Sequence, residues 1–219
     1  MTTSPPVFDA SGRSPHPGGA VAGGVYSPNG GYAPSVDAAS LVSAAQELAT
    51  SMLGEVGRRL AHSAGVAARA GELAGTVAER ERRLLVAAAW LHDIGYAPAA
   101  HVTGFHPLDG ALFLAARGWP PRLCGLVACH SGAGFAAAEL GLADELSRFT
   151  HEESEVSDAL TYADQTTGPD GQPVTFAERM AEMLARHGNS SMQARIHNER
   201  EPYLRAVVSR VTRRLSSGA

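Results

Sequence analysis

The chain has 219 residues, 44% of them apolar, a formal net charge of −4 at neutral pH, and no lysine, so that every permanent positive side-chain charge is an arginine. This length suits one domain with or without a tail, and the apolar fraction can build a core, which excludes disorder throughout. The acidic balance argues against a dedicated nucleic-acid binder, because neutralising phosphates needs a basic face.

Residues 1–35 are rich in Gly, Pro and Ser and show no hydrophobic period. Such a segment buries too little apolar surface to offset its ordering entropy, so it is expected to be a disordered tail preceding a helical domain over 36–219. It has neither the basic stretch nor the apolar run of a signal peptide, and the run LLVAAAWL is too short to span a bilayer. A cytoplasmic protein with no membrane partner is the expectation. Cys124 and Cys129 are five apart, the wrong spacing for a C-x-x-C pair, and read as small buried residues.

From Val36 onward the pattern is helical. Ser35 or Asp37 can cap a first helix running to about Leu53. A second helix carries Leu60, Ala67, Ala74 and Val77 on one side, with His62, Val66 and Leu73 on an adjoining stripe. A third, from about Glu79 to Ile94, places Leu85, Ala88 and His92 inward and is stopped by Gly95. Pro107 marks a first helical turn with His106 at its entrance, and that helix reaches Arg117 before Gly118. Pro120-Pro121 opens the next, which ends near His130–Gly132. Shorter helices follow over 134–149 and 153–166, then a GPDGQP loop, a helix over 175–186, and a last one showing Leu204, Val207, Val211 and Leu215 on one face. Strand signals are nearly absent, so the predicted class is all-α.

Within this helical frame lie His62, the dipeptide His92-Asp93 in AAAWLHDIGY, His106 in GFHPLDGALFL, His130 in LVACHSG and Asp164 in LTYADQTTGPDG. Imidazole nitrogen together with carboxylate oxygen suits a divalent transition metal. Adjacent helical residues project about 100° apart, so a metal can take both His92 and Asp93 only at a helix end, with His62 and Asp164 closing the site. The two oxygens of Asp93 would allow it to bridge to a second metal held by His106 and His130.

The order H…HD…D resembles the HD superfamily of metal-dependent phosphohydrolases. The added histidines resemble its dinuclear branch, and LHDIG followed by HP-x-x-G-A-x-x-L and a histidine 24 residues later is similar to the core of HD-GYP phosphodiesterases and symmetric diadenosine-tetraphosphate hydrolases. The resemblance covers about 55–170 and implies an HD-domain helical bundle. There are departures. The GYP element is missing, Tyr96 stands where that branch has a lysine and where the superfamily's nucleotidases carry a glutamate, and the HD-x-x-E-D signature is absent. What the resemblance implies is a phosphohydrolase or phosphodiesterase acting on a small nucleotide-like phosphate ester through metal-activated water, with one or two Fe, Mn, Co or Ni ions and Asp93 as a catalytic group.

Arg59 and Arg179 are placed to clamp phosphate or else to lie on the surface, and Thr166 and Thr167 are offered as substrate donors. Asp109 either orients His106 or faces solvent. His101 reads as an exposed loop residue and HEESEVSD as a solvated helix start. The same six ligands also serve a mixed-valence diiron oxygenase of the HD type, and a non-catalytic nucleotide-binding module is a third reading. A homodimer is left open by the last, arginine-bearing helix.

Overall fold

The computed structural model describes residues 40–188 and 191–217, so the tail expected over 1–35 and the caps at Ser35 and Asp37 lie outside the described residues. The helices are α1 (Leu41–Leu53), α2 (Arg59–Glu72), α3 (Arg82–Leu91), α4 (His106–Ala115), α5 (Pro121–Cys129), α6 (Ala133–Leu140), α7 (Ala143–Leu146), α8 (Glu155–Gln165), α9 (Phe176–His187) and α10 (Met192–Ser217). Short 3-10 turns join several of them, and the fold is all-α. Among the described residues, β-type pairing is limited to one isolated bridge, Thr167 to Pro173.

Helix α3 is the hub because it is apolar nearly all round. It contacts α1, α2, α5 and α8; its Ala87 and Leu91 belong to an apolar cluster shared by α1, α4, α5 and α6, and its Leu85, Ala88 and Ala89 to a second one shared by α2, α8 and Val211 of α10. Each leucine fully buried there contributes about 1.5–3 kcal/mol. A third apolar cluster joins Phe176, Met180 and Met183 of α9 to Leu204 of α10. Of the four residues expected on the inner face of α10, Leu204, Val207 and Val211 are buried, whereas Leu215 at the far end is exposed.

Several predicted boundaries move. Helix α3 ends at Leu91, with His92 as its cap, so Gly95 is not the terminator. Its role is close approach: a Cβ there would stand 2.0 Å from the His106 carbonyl oxygen. The 134–149 segment divides into α6 and α7 at Gly141, whose φ of 70° suits glycine. HEESEVSD does open a helix, through a Ser154–Ser157 capping box, but Asp158 is buried and bound by Arg210 and Arg214 of α10. Cys124 and Cys129 are free, one buried and one half-buried, and burial pushes both thiols up to about 11.

The stretch Pro121–Leu140 (mean hydropathy 1.3) is longer than LLVAAAWL and by length and composition could cross a membrane. It is 61% buried within the fold, and it is broken at 130–132, where Ser131 (φ 52°) and Gly132 (φ 70°) take left-handed conformations. Its hydropathy is therefore that of core helices α5 and α6.

Candidate metal centre

Six side chains from five parts of the chain converge. His62 comes from α2, His92 and Asp93 from the turn that ends α3, His106 from the first turn of α4, His130 from the end of α5, and Asp164 from α8. His92 and His130 ring centroids are 5.1 Å apart, His62 and His92 5.3 Å, and His106 and His130 5.5 Å. Among the described residues, the ligand atoms of His62, His92 and Asp164 lie within 4.8 Å of one another, as do those of His92, Asp93 and His130. His106 joins through Asp93, its Nε2 standing 3.2 Å from Oδ1.

The backbone sets which nitrogen each imidazole presents. Nδ1 of His62 lies 3.0 Å from the Gly168 carbonyl, Nδ1 of His92 2.8 Å from that of Ala89, and Nδ1 of His130 2.7 Å from that of Val127. A carbonyl only accepts, so each Nδ1 carries hydrogen and each Nε2 is left as the ligating atom. Nε2 of His92 is buried and has no hydrogen-bond partner among the described residues, although Asp93 Oδ2 and Asp164 Oδ1 lie 3.6 and 4.0 Å away. Nε2 of His62 and Oδ1 of Asp164, both acceptors when the histidine is neutral, are held 3.1 Å apart. Such a pair needs a proton or a cation between its members. The donor set, the orphaned Nε2 and the inward aim of three imidazoles all fit a divalent metal ion.

Protonation follows the same pattern. Burial lowers the pKa values of His92, His106 and His130, which favours neutral rings. Burial also opposes charge on Asp93 and Asp164, but adjoining histidines outweigh it, helped by Arg59 at Asp93 and Arg179 at Asp164, and hold both carboxyls well below their ordinary range. His62 is the exception. Burial is outweighed by its bond to Asp164, so its pKa is raised.

Local devices hold the ligands. The left-handed Ser131 donates from Oγ to Asp164 Oδ2, which also accepts from Gln165 Nε2 at 2.7 Å. Gly65 on α2 lets the 168–173 loop approach so closely that a Cβ would lie 2.4 Å from the Gly171 oxygen. That contact brings the Gly168 carbonyl to His62. Asp109 neither orients His106 nor faces solvent. It is buried and accepts from the amide and hydroxyl of Thr103 (2.7 Å each) and the amide of Gly104 (3.0 Å), pinning the loop that delivers His106.

A cavity of about 290 Å³ opens onto the centre, and Arg59, Arg179 and Arg200 line it. Arg59 donates to Asp93 Oδ2 at 2.8 Å and covers the Tyr96 ring at 3.7 Å, while His106 stacks on that ring at 4.1 Å. Arg179 is buried, bonded to Glu182 at 2.8 Å and 3.8 Å from Asp164, and its Nε has no partner among the described residues. Thr166 and Thr167 do not line the cavity. Their hydroxyls donate to the Tyr162 and Ala163 carbonyls at 2.7 Å, the usual back-bond of a helix terminus. His101 is exposed, as expected.

Residues 59–167 match the family model of the HD domain. The protein carries an HD domain. That domain begins at the first residue of α2 and ends just beyond Asp164, so it contains all six converging side chains. HD domains form a superfamily of metal-dependent hydrolases with a helical fold, in keeping with the His/Asp clusters described above. No curated protein and no solved structure matches the chain. Arg200 lies outside the HD domain and had no motif to announce it. Its Nε donates to the Ser131 carbonyl at 2.9 Å, which brings a cation from α10 onto the cavity wall. Tyr96, Ser131 and Gln165 are adjacent in sequence to ligands or close to them, but only their contacts reveal a role.

Proposed function

We propose that this HD-domain protein is a phosphohydrolase whose centre holds two divalent transition-metal ions (Fe, Mn, Co or Ni). His62, His92, Asp93 and Asp164 would hold one, and Asp93, His106 and His130 the other. The observation that carries this reading is the orientation of Asp93: Oδ1 faces His106 at 3.2 Å, while Oδ2 faces His92 at 3.6 Å and His62 at 3.9 Å. One carboxylate addressing two sets of imidazoles is what a bridging ligand requires. Bound cations supply Lewis acidity, which makes water a better nucleophile and offsets phosphate charge.

The chain's own groups do the rest. Arg59 and Arg179 flank the two carboxylates and can bind phosphate oxygens bidentately, and Arg200 adds a third cation. Ser131 and Gln165 keep Asp164 from rotating. Stabilising the charge that develops on phosphoryl oxygens is the largest contribution such fixed groups make.

The test is metal content per chain by elemental analysis on anaerobically purified protein, together with hydrolysis of bis(p-nitrophenyl) phosphate and p-nitrophenyl phosphate. Two ions in the wild type, about one in His106→Ala, and loss of hydrolysis in His92→Ala and Asp93→Ala are expected. One ion in both wild type and His106→Ala would remove the second cation. Unchanged metal and hydrolysis in the His92 and Asp93 variants would overturn the whole reading.

A further inference from the structure

We propose that the cavity selects phosphate monoesters of aliphatic alcohols in preference to nucleotides, an inference that rests on the hydrolase reading above. The cavity has two unlike ends. Its inner end carries the carboxylates, histidines and arginines. Its outer wall is built by α6, α9 and the start of α10, and presents Ala136, Leu140, Met180, Met183, Met192 and Ile196.

A nucleobase is recognised by hydrogen bonds to its edge and by stacking on an aromatic or guanidinium plane. Among the described residues the outer wall offers neither an uncharged polar side chain nor an aromatic one. Arg186 at its rim gives its Nε edge to Glu182 at 3.1 Å, so that donor is not free for a base edge. Gln165, deeper in, spends its amide on Asp164 and Ser131. The aromatic side chains that reach the cavity are Tyr96 and Phe105. Phe105 is buried, and Tyr96 has the Arg59 guanidinium at 3.7 Å and the His106 ring at 4.1 Å from its centre. Two groups that close cannot share one face of a ring, so both faces are taken and no base can stack there.

An aliphatic group suits what remains. Three methionines give an adaptable apolar surface. Leu140 is 46% exposed at the mouth, so it has surface left to cover when a chain enters. The volume, about 290 Å³, lies just below the usual range for ligand pockets, about 300–1,000 Å³, which suits a small ligand. The phosphate then sits at the arginine-lined end and the carbon chain runs along α6 and α9. In the reaction a water oxygen bonds to phosphorus as the ester P–O bond breaks. The alcohol leaves with one water proton, and the other remains on inorganic phosphate.

The experiment measures kcat/KM of the full chain with Mn²⁺ for methyl, butyl and hexyl phosphate and for AMP and GMP. It adds calorimetric binding of hexylphosphonate, which has no ester bond to hydrolyse. Each methylene that enters the groove is expected to raise kcat/KM about fourfold, and hexyl phosphate to exceed AMP by roughly tenfold or more on the same basis. Leu140→Gln and Met192→Gln, both at positions not fully buried, should lower the hexyl-to-methyl ratio and weaken hexylphosphonate binding while thermal melts stay cooperative. Hydrolysis indifferent to chain length, or faster with AMP or GMP, overturns the ligand class and leaves the hydrolase reading standing. Tight hexylphosphonate binding that these variants weaken, with no ester hydrolysed, supports the ligand class and overturns the hydrolase reading.

Discussion

Replacing Gly95 with alanine should damage both stability and the metal centre, because the obstacle is backbone. The new Cβ would lie 2.0 Å from the His106 carbonyl oxygen, 2.6 Å from the Gly110 nitrogen and 2.8 Å from the His106 carbonyl carbon, where ordinary contact begins at 3.4 Å. No rotamer change relieves these contacts. Helix α4 must back away from the turn holding His92 and Asp93, by a distance on the order of 1 Å for overpacking of this kind. His106 rides on that helix at 3.2 Å from Asp93, so the same retreat breaks the contact joining the two histidine sets. Overpacking costs about 1–3 kcal/mol, and the upper end applies because the obstructing atoms are main chain. For a domain of this size that is a Tm lower by roughly 6–12 °C. Gly71→Ala is the matched control. Gly71 is exposed near the end of α2 with nothing within 4 Å of its Cβ position, so alanine should stabilise by about 0.5–1 kcal/mol. Urea denaturation followed by circular dichroism, with metal analysis on the same samples, gives both quantities. A Gly95→Ala protein within 0.5 kcal/mol of wild type and with its full metal complement would refute the close-approach argument.

Asp158 sets an acid limit on stability. Burial pushes its carboxyl up, but bonds from Arg210 (2.9 Å to Oδ2) and Arg214 (2.8 Å) outweigh that and leave its pKa below the ordinary 3.8. Glu155, 3.9 Å from Arg214, is the further acid on that side. A depressed pKa means stability that is present above pH 3.8 and lost as pH falls through the lower folded value. Asp158→Asn should therefore cost about 1–3 kcal/mol near neutrality, discounted because Arg210 is 41% exposed. The difference from wild type should shrink as pH falls below 3.8 and vanish only below the lower folded value, and a pH-independent difference would count against the ion pair. For metal linkage, Mn²⁺ at a hundred times its Kd should add about 2.7 kcal/mol, or roughly 5–11 °C in Tm. His92→Ala, which removes the unpartnered Nε2, should abolish that shift in a thermal melt, and an equal shift in the variant would place the ion elsewhere.

The all-α class was readable because apolar residues recur at helical spacing, and the ligand types were readable because histidine and aspartate stand beside helix-ending signals. Thr166 and Thr167 show where such reading fails. Their position after Asp164 suggests donors, but a hydroxyl at a helix terminus has its own carbonyls within reach and uses them. Asp109 was missed for a related reason: its partners are the backbone of a loop five and six residues earlier, and loop conformation has no sequence period. Asp158 looked solvated within an acidic run, since its two arginines arrive from α10, more than fifty residues away.

Sequence alone determined that this chain is helical and that its histidines and aspartates stand in an HD order, because helical periodicity and side-chain chemistry are local properties of residues. Tertiary structure decided which nitrogen each imidazole presents, that Asp93 faces two histidine sets, and that Arg200 and an apolar wall complete the cavity. Those features depend on which carbonyl meets which ring and on how closely Gly95 and Gly65 let backbones approach, and both are set by packing between segments far apart in the chain.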